Sequence, residues 1–428
     1  MKNLLFLLFT LFALISFAQT KSIKQSPVLV EGSAISVGMS EERLARIDTM
    51  LTEALIASQI PGAVAFVARN GKIVYHKAFG IADTESGSVL QRDAIFRIAS
   101  QTKAITATAV MMLWEEAKFS LDDPISKYIP EFNDAQVLDT VYADGTYRTI
   151  PAKTPITIRH LITHTSGLGY GAIDKDSRFI KIYEDAGITG LFSAKKTSIG
   201  EITKKLAKLP LHHHPGEKFT YSYGFDVLGY FIEIVSGMPL NEFFRTRILN
   251  PLGMDDTWFY LPKSKHNRLV SIHKKEHNKW VTYPKTFYDL DYPIKGAKRF
   301  FSGGGGLSST AKDYAAFLQM YLNKGELNGI RILSRTTVEL IMINQVSNPF
   351  GNLGAYYGLA FRVVDDKGKA LGGKGSLGTF DWGGYFNTQY FANPKENIIG
   401  IIMKQTLGAD SDDTAWKFRQ LVGQAIDN

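Results

Sequence analysis

The chain has no cysteine in 428 residues. That excludes a thiol nucleophile, a cysteine-rich zinc site and a lipid-modified mature N-terminal cysteine. A fold of this composition is held by its core, not by disulfides. An excess of one charge is also lacking. The 49 Lys and Arg against 41 Asp and Glu give a formal net charge of +8, and the basic residues are scattered. Nucleic-acid recognition calls for a basic stripe interleaved with aromatics, or a known module, so no nucleic-acid partner is expected. No Gly-x-Ser-x-Gly turn occurs, which disfavours an α/β-hydrolase. The glycines Gly303 to Gly306 precede a capped helix but lack the lysine of a phosphate loop. Past the first twenty residues no run is apolar enough to cross a membrane.

What is present begins with an address. Lys2 precedes an apolar run from Leu4 to Phe17, and Ser16-Phe17-Ala18 offers small residues where a signal peptidase reads. Residues 1–18 are therefore expected to be a signal peptide and 19–38 a polar leader or linker. Residues 39–428 are expected to be a single domain, exported to the periplasm or beyond, with no stable membrane insertion after cleavage.

The 45% apolar content suffices for one large core or two joined lobes. Ser40 caps a helix with Glu41 and Glu42 in its first turn and Leu44, Ile47, Leu51 and Leu55 at helical spacing. Ala63 to Arg69 and Lys72 to Phe79 read as strands around Asn70-Gly71, a two-residue hairpin signal. Leu359, Phe361 and Val363 alternate as in a half-buried strand, and Gln389 to Ala392 with Ile398 to Met403 read as a second hairpin. Phe418, Leu421, Val422 and Ala425 mark a last helix. Hairpins at both ends, each beside a helix, predict an α+β fold with one antiparallel sheet built from the two termini. The sheet lobe takes 39–99 and about 300–428, and a mostly helical lobe takes about 100–299. Asn133 to Pro155 and Leu261 to Lys298 read as long surface loops.

Chemistry concentrates at Ser100-Gln101-Thr102-Lys103, which leads into the apolar run Ala104 to Ala117. A Ser and a Lys three apart on a helix share a face. A serine hydroxyl is a weak nucleophile until a base takes its proton, and a buried lysine can be that base. Alone the pair is a weak signal, since a capping serine beside a solvated lysine is the commoner arrangement. Its company is what changes the odds: Arg159-His160-Leu161-Ile162-Thr163-His164-Thr165-Ser166-Gly167-Leu168, then Tyr221-Ser222-Tyr223, the run Gly303 to Thr310, and Phe380-Asp381-Trp382-Gly383-Gly384-Tyr385.

Together, from about residue 40 to 425, these stretches resemble the serine β-lactamase-like family. That family holds class C β-lactamases, penicillin-binding DD-peptidases, family VIII carboxylesterases and related D-amino-acid peptidases. The resemblance implies that Ser100 is the acylated nucleophile. It implies that Lys103 and Tyr221 form a coupled acid/base pair, with the member that takes the serine proton left open. Backbone N–H groups of Ser100 and Tyr385 would form the oxyanion hole. Tyr223, Trp382, Gly383 and Gly384 would line the substrate. No metal and no cofactor are implied.

Two departures bear on the substrate. Trp382 stands where the family's β-lactamases carry the lysine of Lys-Thr-Gly, and Tyr223 where they carry an asparagine. Esterase-like members share Trp-Gly-Gly. The expected activity is therefore carboxylesterase-type, on a small ester, amide or peptide-like substrate. A β-lactamase or D-amino-acid peptidase is the alternative, and a catalytically silent binding protein is the alternative of another class. Lys374 is a candidate displaced cation. His164 and Ser166 read as structural, His212 to His214 as a rim run, and His273 with His277 as a solvated pair in a Lys-rich loop.

Overall fold

Both ends of the chain supply strands to one sheet. The computed structural model describes residues 20–428 except 189, 191–193, 285, 287, 409 and 410, so the expected signal peptide lies outside the described residues. The sheet has eight strands in the order Val30–Glu31, Lys72–Gly80, Gly62–Arg69, Ile398–Met403, Thr388–Asn393, Phe380–Gly384, Arg362–Val364 and Ala355–Tyr357. Every pairing is antiparallel except the first, at the edge. The first hairpin closes where expected, with Asn70 at φ 51° and Gly71 at φ 77°, the left-handed pair a tight two-residue turn needs.

Two layers cover the sheet. On one face the helix Glu41–Ile56, capped by Ser40 Oγ accepting from the Arg43 N–H at 3.2 Å, packs beside the C-terminal helix Thr414–Gln424. Leu44, Ile47, Leu51, Phe418 and Val422 form a core there with Ala63, Ala65 and Val67. The other face carries the larger core. Phe66, Phe380 and Ile401 meet the helix Ala311–Leu322 and, beyond it, the buried helix Thr102–Glu115. The helices Ile158–Ile162, Ile199–Leu206, Gly224–Ser236 and Leu240–Phe244 complete that side.

Two segments expected to be loops contain strands. Gln136–Val141 pairs with Tyr147–Pro151 around Asp144-Gly145, and His273–Glu276 pairs with Lys279–Thr282 around His277-Asn278. The second hairpin takes Thr406–Leu407 as a parallel third strand. His273 is accordingly buried in a strand and not solvated, while His277 forms the turn. The strand expected across Leu359 to Val363 begins only at Arg362, because Ala360 turns with φ 110°. Among the described residues no helix is long and apolar enough to cross a membrane.

Candidate active site

The turn that presents Ser100 is strained and braced. Ala99 has φ 43°, left-handed for a non-glycine residue, a conformation that costs about 1–2 kcal/mol. Its neighbours hold it there. The Ile98 N–H donates to the Leu307 carbonyl at 3.0 Å and the Arg97 N–H to Gln405 Oε1 at 3.0 Å. Gln405 Nε2 returns to the Arg97 carbonyl at 3.2 Å. A short turn Ala99–Gln101 then feeds the helix Thr102–Glu115, whose residues Thr102 to Leu113 are all buried. Ser100 thus sits at the positive end of a helix fixed on every side.

Lys103 is one turn on and only 1% exposed. No carboxylate among the described residues pairs with it. Its Nζ donates to the Gly304 carbonyl at 2.6 Å, to Tyr170 Oη at 3.1 Å and to Ser100 Oγ at 3.3 Å. Aromatic faces close the rest of the chamber. The ring centres of Tyr221, Tyr170 and Phe225 lie 4.7, 5.3 and 5.9 Å from the amine. Ring faces are partly negative and favour a cation there.

The fold brings Ser100, Lys103 and Tyr221 together, with Tyr221 meeting the amine by its face. The phenol hydroxyl that meets the amine belongs to Tyr170, which sequence reasoning did not single out. Tyr170 stacks on Tyr221 at 5.2 Å with 4° between planes, and on Tyr223 at 4.9 Å with 16°. Burial, and then the neighbouring Tyr221, Asp226 and Tyr223, hold the Tyr170 phenol well above its ordinary range, so it stays neutral. Tyr223, expected to touch substrate, is 4% exposed and packed between Tyr170 and Tyr183. Its large ring fills the wall behind the site instead of facing the cleft.

His164, 4.5 Å from Tyr221 ring to ring, is the shelf beneath that ring. Burial, and then the Lys103 charge, hold its imidazole well below the usual range, so it is neutral. Its Nδ1 accepts from the Ser222 N–H at 3.2 Å and fixes the turn that carries Tyr221.

The strand Phe380–Gly384 forms the facing wall. A Cβ at Gly384 would lie 2.5 Å from the Ile98 carbonyl, so only glycine lets this strand abut the nucleophile turn. Trp382 packs on Tyr357 at 5.5 Å and on Tyr221 and Phe350 at 5.9 Å. Tyr385 follows at the rim, its side chain 40% exposed and its ring 5.3 Å from Tyr288. The cations near this strand are already engaged. Arg362 and Arg419 both bind Asp381 at 2.6 Å, and the Lys374 amine donates to the Leu353 carbonyl. Burial alone would raise the Asp381 carboxyl, but the two arginines outweigh it and hold it below the usual range.

A second residue missed from sequence stands behind the lysine. Asp226, 1% exposed, lies in the first turn of the helix Gly224–Ser236 among Phe225, Val227 and Leu228. Burial raises its carboxyl from 3.8 to about 6, against the opposing pull of Ser302, Lys103 and the Gly304 N–H. The signal available in the sequence was a lone charge inside an apolar helix. The histidines of the run 212–214 have separate partners. His212 meets Asp174 at 3.0 Å, His213 meets Thr220 Oγ1 at 2.9 Å, and His214 accepts from the Lys153 N–H at 3.3 Å. Among the described residues no cluster of three or more His, Asp or Glu is arranged to hold a metal ion.

A terminal-built antiparallel sheet, a helical layer and a Ser-x-x-Lys turn between them define the serine β-lactamase fold, and the chain is a serine-hydrolase-type enzyme. A model of the Beta-lactamase family matches residues 47–424, and the chain belongs to that family. It is 34% identical over 373 residues to Protein Rv1367c of Mycobacterium tuberculosis, covering 83% of this chain and 88% of that one. It is 30% identical over 381 residues to the esterase EstB of Burkholderia gladioli, covering 85% and 90%. Among solved structures, EstCE1, described as a hydrolase with promiscuous acyltransferase activity, superimposes with a TM-score of 0.75 at 25% identity, covering 91% of this chain and 99% of that one.

Proposed function

We propose that this protein is an exported carboxylesterase that works through an acyl-enzyme on Ser100. One observation carries the reading: a lysine that is 1% exposed has a serine hydroxyl, a phenol and a carbonyl as partners and, among the described residues, no carboxylate. Such an amine is not a structural ion pair, and its position beside Ser100 Oγ is that of a proton acceptor. In the proposed cycle Ser100 Oγ attacks the ester carbonyl and gives its proton to the Lys103–Tyr221 pair. The N–H groups of Ser100 and Tyr385 hold the oxyanion. The alcohol leaves with the proton, and water releases the acid by the same route. Preorganised oxyanion donors of this kind are worth roughly 3 kcal/mol each.

Esters are favoured over β-lactams and peptide termini because those substrates carry a carboxylate. Trp382 replaces the strand cation, and Arg362, Arg419 and Lys374 already have partners. The aromatic wall of Tyr221, Phe350 and Trp382 suits an apolar acyl or alcohol group. The similarity to an esterase and to a hydrolase with acyltransferase activity supports the same class. Export rests on the Leu4 to Phe17 run and the site after Ala18.

The test is a substrate panel of p-nitrophenyl esters, nitrocefin and D-alanyl peptides, with Ser100→Ala as control and a fluorophosphonate probe. Ester turnover and Ser100 labelling are expected, and both vanish in the variant. Nitrocefin turnover well above ester turnover would sink the ester assignment. An unlabelled wild type would sink the covalent mechanism. The N-terminal mass of protein recovered outside the cytoplasm is expected to begin at Gln19.

A further inference from the structure

The reading of Ser100 and Lys103 just given leaves a buried charge unexplained, and the following inference rests on that reading. Asp226 Oδ1 accepts from Ser302 Oγ at 2.6 Å and from the Gly304 N–H at 3.4 Å, while its Oδ2 is buried with no hydrogen-bond partner among the described residues. The Gly304 carbonyl, on the far side of the same residue, takes the shortest hydrogen bond that Lys103 makes, at 2.6 Å. Carboxylate, glycine and amine therefore stand in series. The fit is close: a Cβ at position 304 would lie 2.3 Å from Asp226 Oδ2. From the other side Thr106 Oγ1 donates to the Gly303 carbonyl at 2.6 Å. The loop is clamped between a carboxylate on one helix and a hydroxyl on another.

We propose that Asp226 is the positioning residue of the active-site lysine. Acting through Gly304, it sets where the Lys103 amine sits and how tightly the amine and its phenol neighbours hold their protons. The charged and titratable groups that face Asp226 are Lys103 from the helix Thr102–Glu115, Tyr170 from the segment after Ile158–Ile162, and Tyr223 from the turn before its own helix. Those that face Lys103 are Tyr170, Tyr221, the neutral His164 and Asp226 itself. Asp226 is thus the one carboxylate that faces the buried Lys103 amine, among the described residues. A negative charge strengthens proton binding at every neighbouring acid. Whichever group takes the serine proton, amine or phenolate, removing this charge lets it become proton-free at lower pH.

The experiment is the pH dependence of kcat/KM on a p-nitrophenyl ester, and of the rate of fluorophosphonate labelling, for wild type, Asp226→Asn and Ser302→Ala. The acidic limb is expected to move to lower pH by about one unit in Asp226→Asn, with KM within about threefold. Ser302→Ala removes a donor to the carboxylate, so less negative charge persists near neutrality, and its limb moves the same way by less. It serves alone if Asp226→Asn does not fold. A purely structural role lowers activity equally at all pH. Variant limbs that superimpose on the wild type, with wild-type Ser100 still labelled, overturn this inference alone. Failure to label the wild type overturns the acyl-enzyme reading and this inference with it.

Discussion

Among the described residues two lysines are buried, Lys103 and Lys404, and they are buried differently. Lys404, 0% exposed, follows the strand Ile398–Met403, forms an ion pair with Asp412 and donates to Thr414 Oγ1 at 2.8 Å. Asp412 is held in turn by the Thr414 hydroxyl at 2.6 Å, the Thr414 N–H at 3.0 Å and Asn387 Nδ2 at 2.8 Å. Burial alone would raise the Asp412 carboxyl, but Lys404 and these donors hold it below the usual range. Lys103, 1% exposed, has hydroxyls, a carbonyl and ring faces instead. A lysine that faces its own carboxylate is a fixed charge whose desolvation the pair offsets. A lysine that faces hydroxyls with no carboxylate beside it is placed to take a proton from them. Depth of burial alone does not separate structure from chemistry. The partner list does.

Replacing each lysine by methionine tests that contrast most strongly. Lys103→Met is expected to lower kcat by roughly a thousandfold or more, with the melting temperature little changed. Lys404→Met leaves Asp412 buried and unpaired, at a cost of about 3 kcal/mol in unfolding free energy, while turnover per folded molecule stays near the wild-type value. Urea titrations beside ester kinetics check both. If Lys103→Met lost stability and kept activity, the comparison would be inverted.

Asp226 sharpens the comparison, because it is a carboxylate without a full partner. Its carboxyl is raised from 3.8 to about 6, so between those values the folded state binds more protons than the unfolded chain. Stability contributed by this group is therefore greatest below pH 4 and declines as pH rises through about 6, by some 2–3 kcal/mol in total. Asp226→Asn lacks that decline. The stability difference, variant minus wild type, is expected to grow in favour of the variant between about pH 4 and pH 8, read from denaturant midpoints. A difference independent of pH would show that Asp226 does not titrate in this range. At Asp412 the sign is opposite, since its carboxyl is held low and its contribution is lost only in acid.

The sequence displayed the fold where one face of an element is buried and the other wet. The helix Glu41–Ile56 and the Asn70-Gly71 hairpin show their periodicity plainly. The hairpin 136–151 does not, because almost every residue in it is partly or fully exposed, which erases the alternation. Its Asp144-Gly145 turn was the remaining signal. The site shows the same division. Ser100 and Lys103 are one helical turn apart, so their proximity follows from spacing. Tyr170 reaches Lys103 across 67 residues of sequence, and no local pattern encodes that contact. Tyr223 sits two residues from Tyr221 in the same turn, yet it points into the core because Tyr170 and Tyr183 enclose its ring.

The finest test concerns single hydroxyls at the two lysines. Tyr170→Phe keeps the stack on Tyr221 and Tyr223 and removes only the oxygen 3.1 Å from the Lys103 amine. The amine keeps the Gly304 carbonyl and Ser100 as acceptors, so it stays buried but loses one of three restraints on its direction. The expected loss is about tenfold in kcat with KM nearly unchanged, about 1.4 kcal/mol of transition-state stabilisation. Thr414→Val deletes the hydroxyl at Lys404, which also donates to Asp412; the ion pair persists, and the change is expected to lower unfolding free energy by about 2 kcal/mol without slowing turnover. A Tyr170→Phe enzyme with wild-type kcat would assign that hydroxyl to packing and leave the proton transfer to Tyr221 and Lys103.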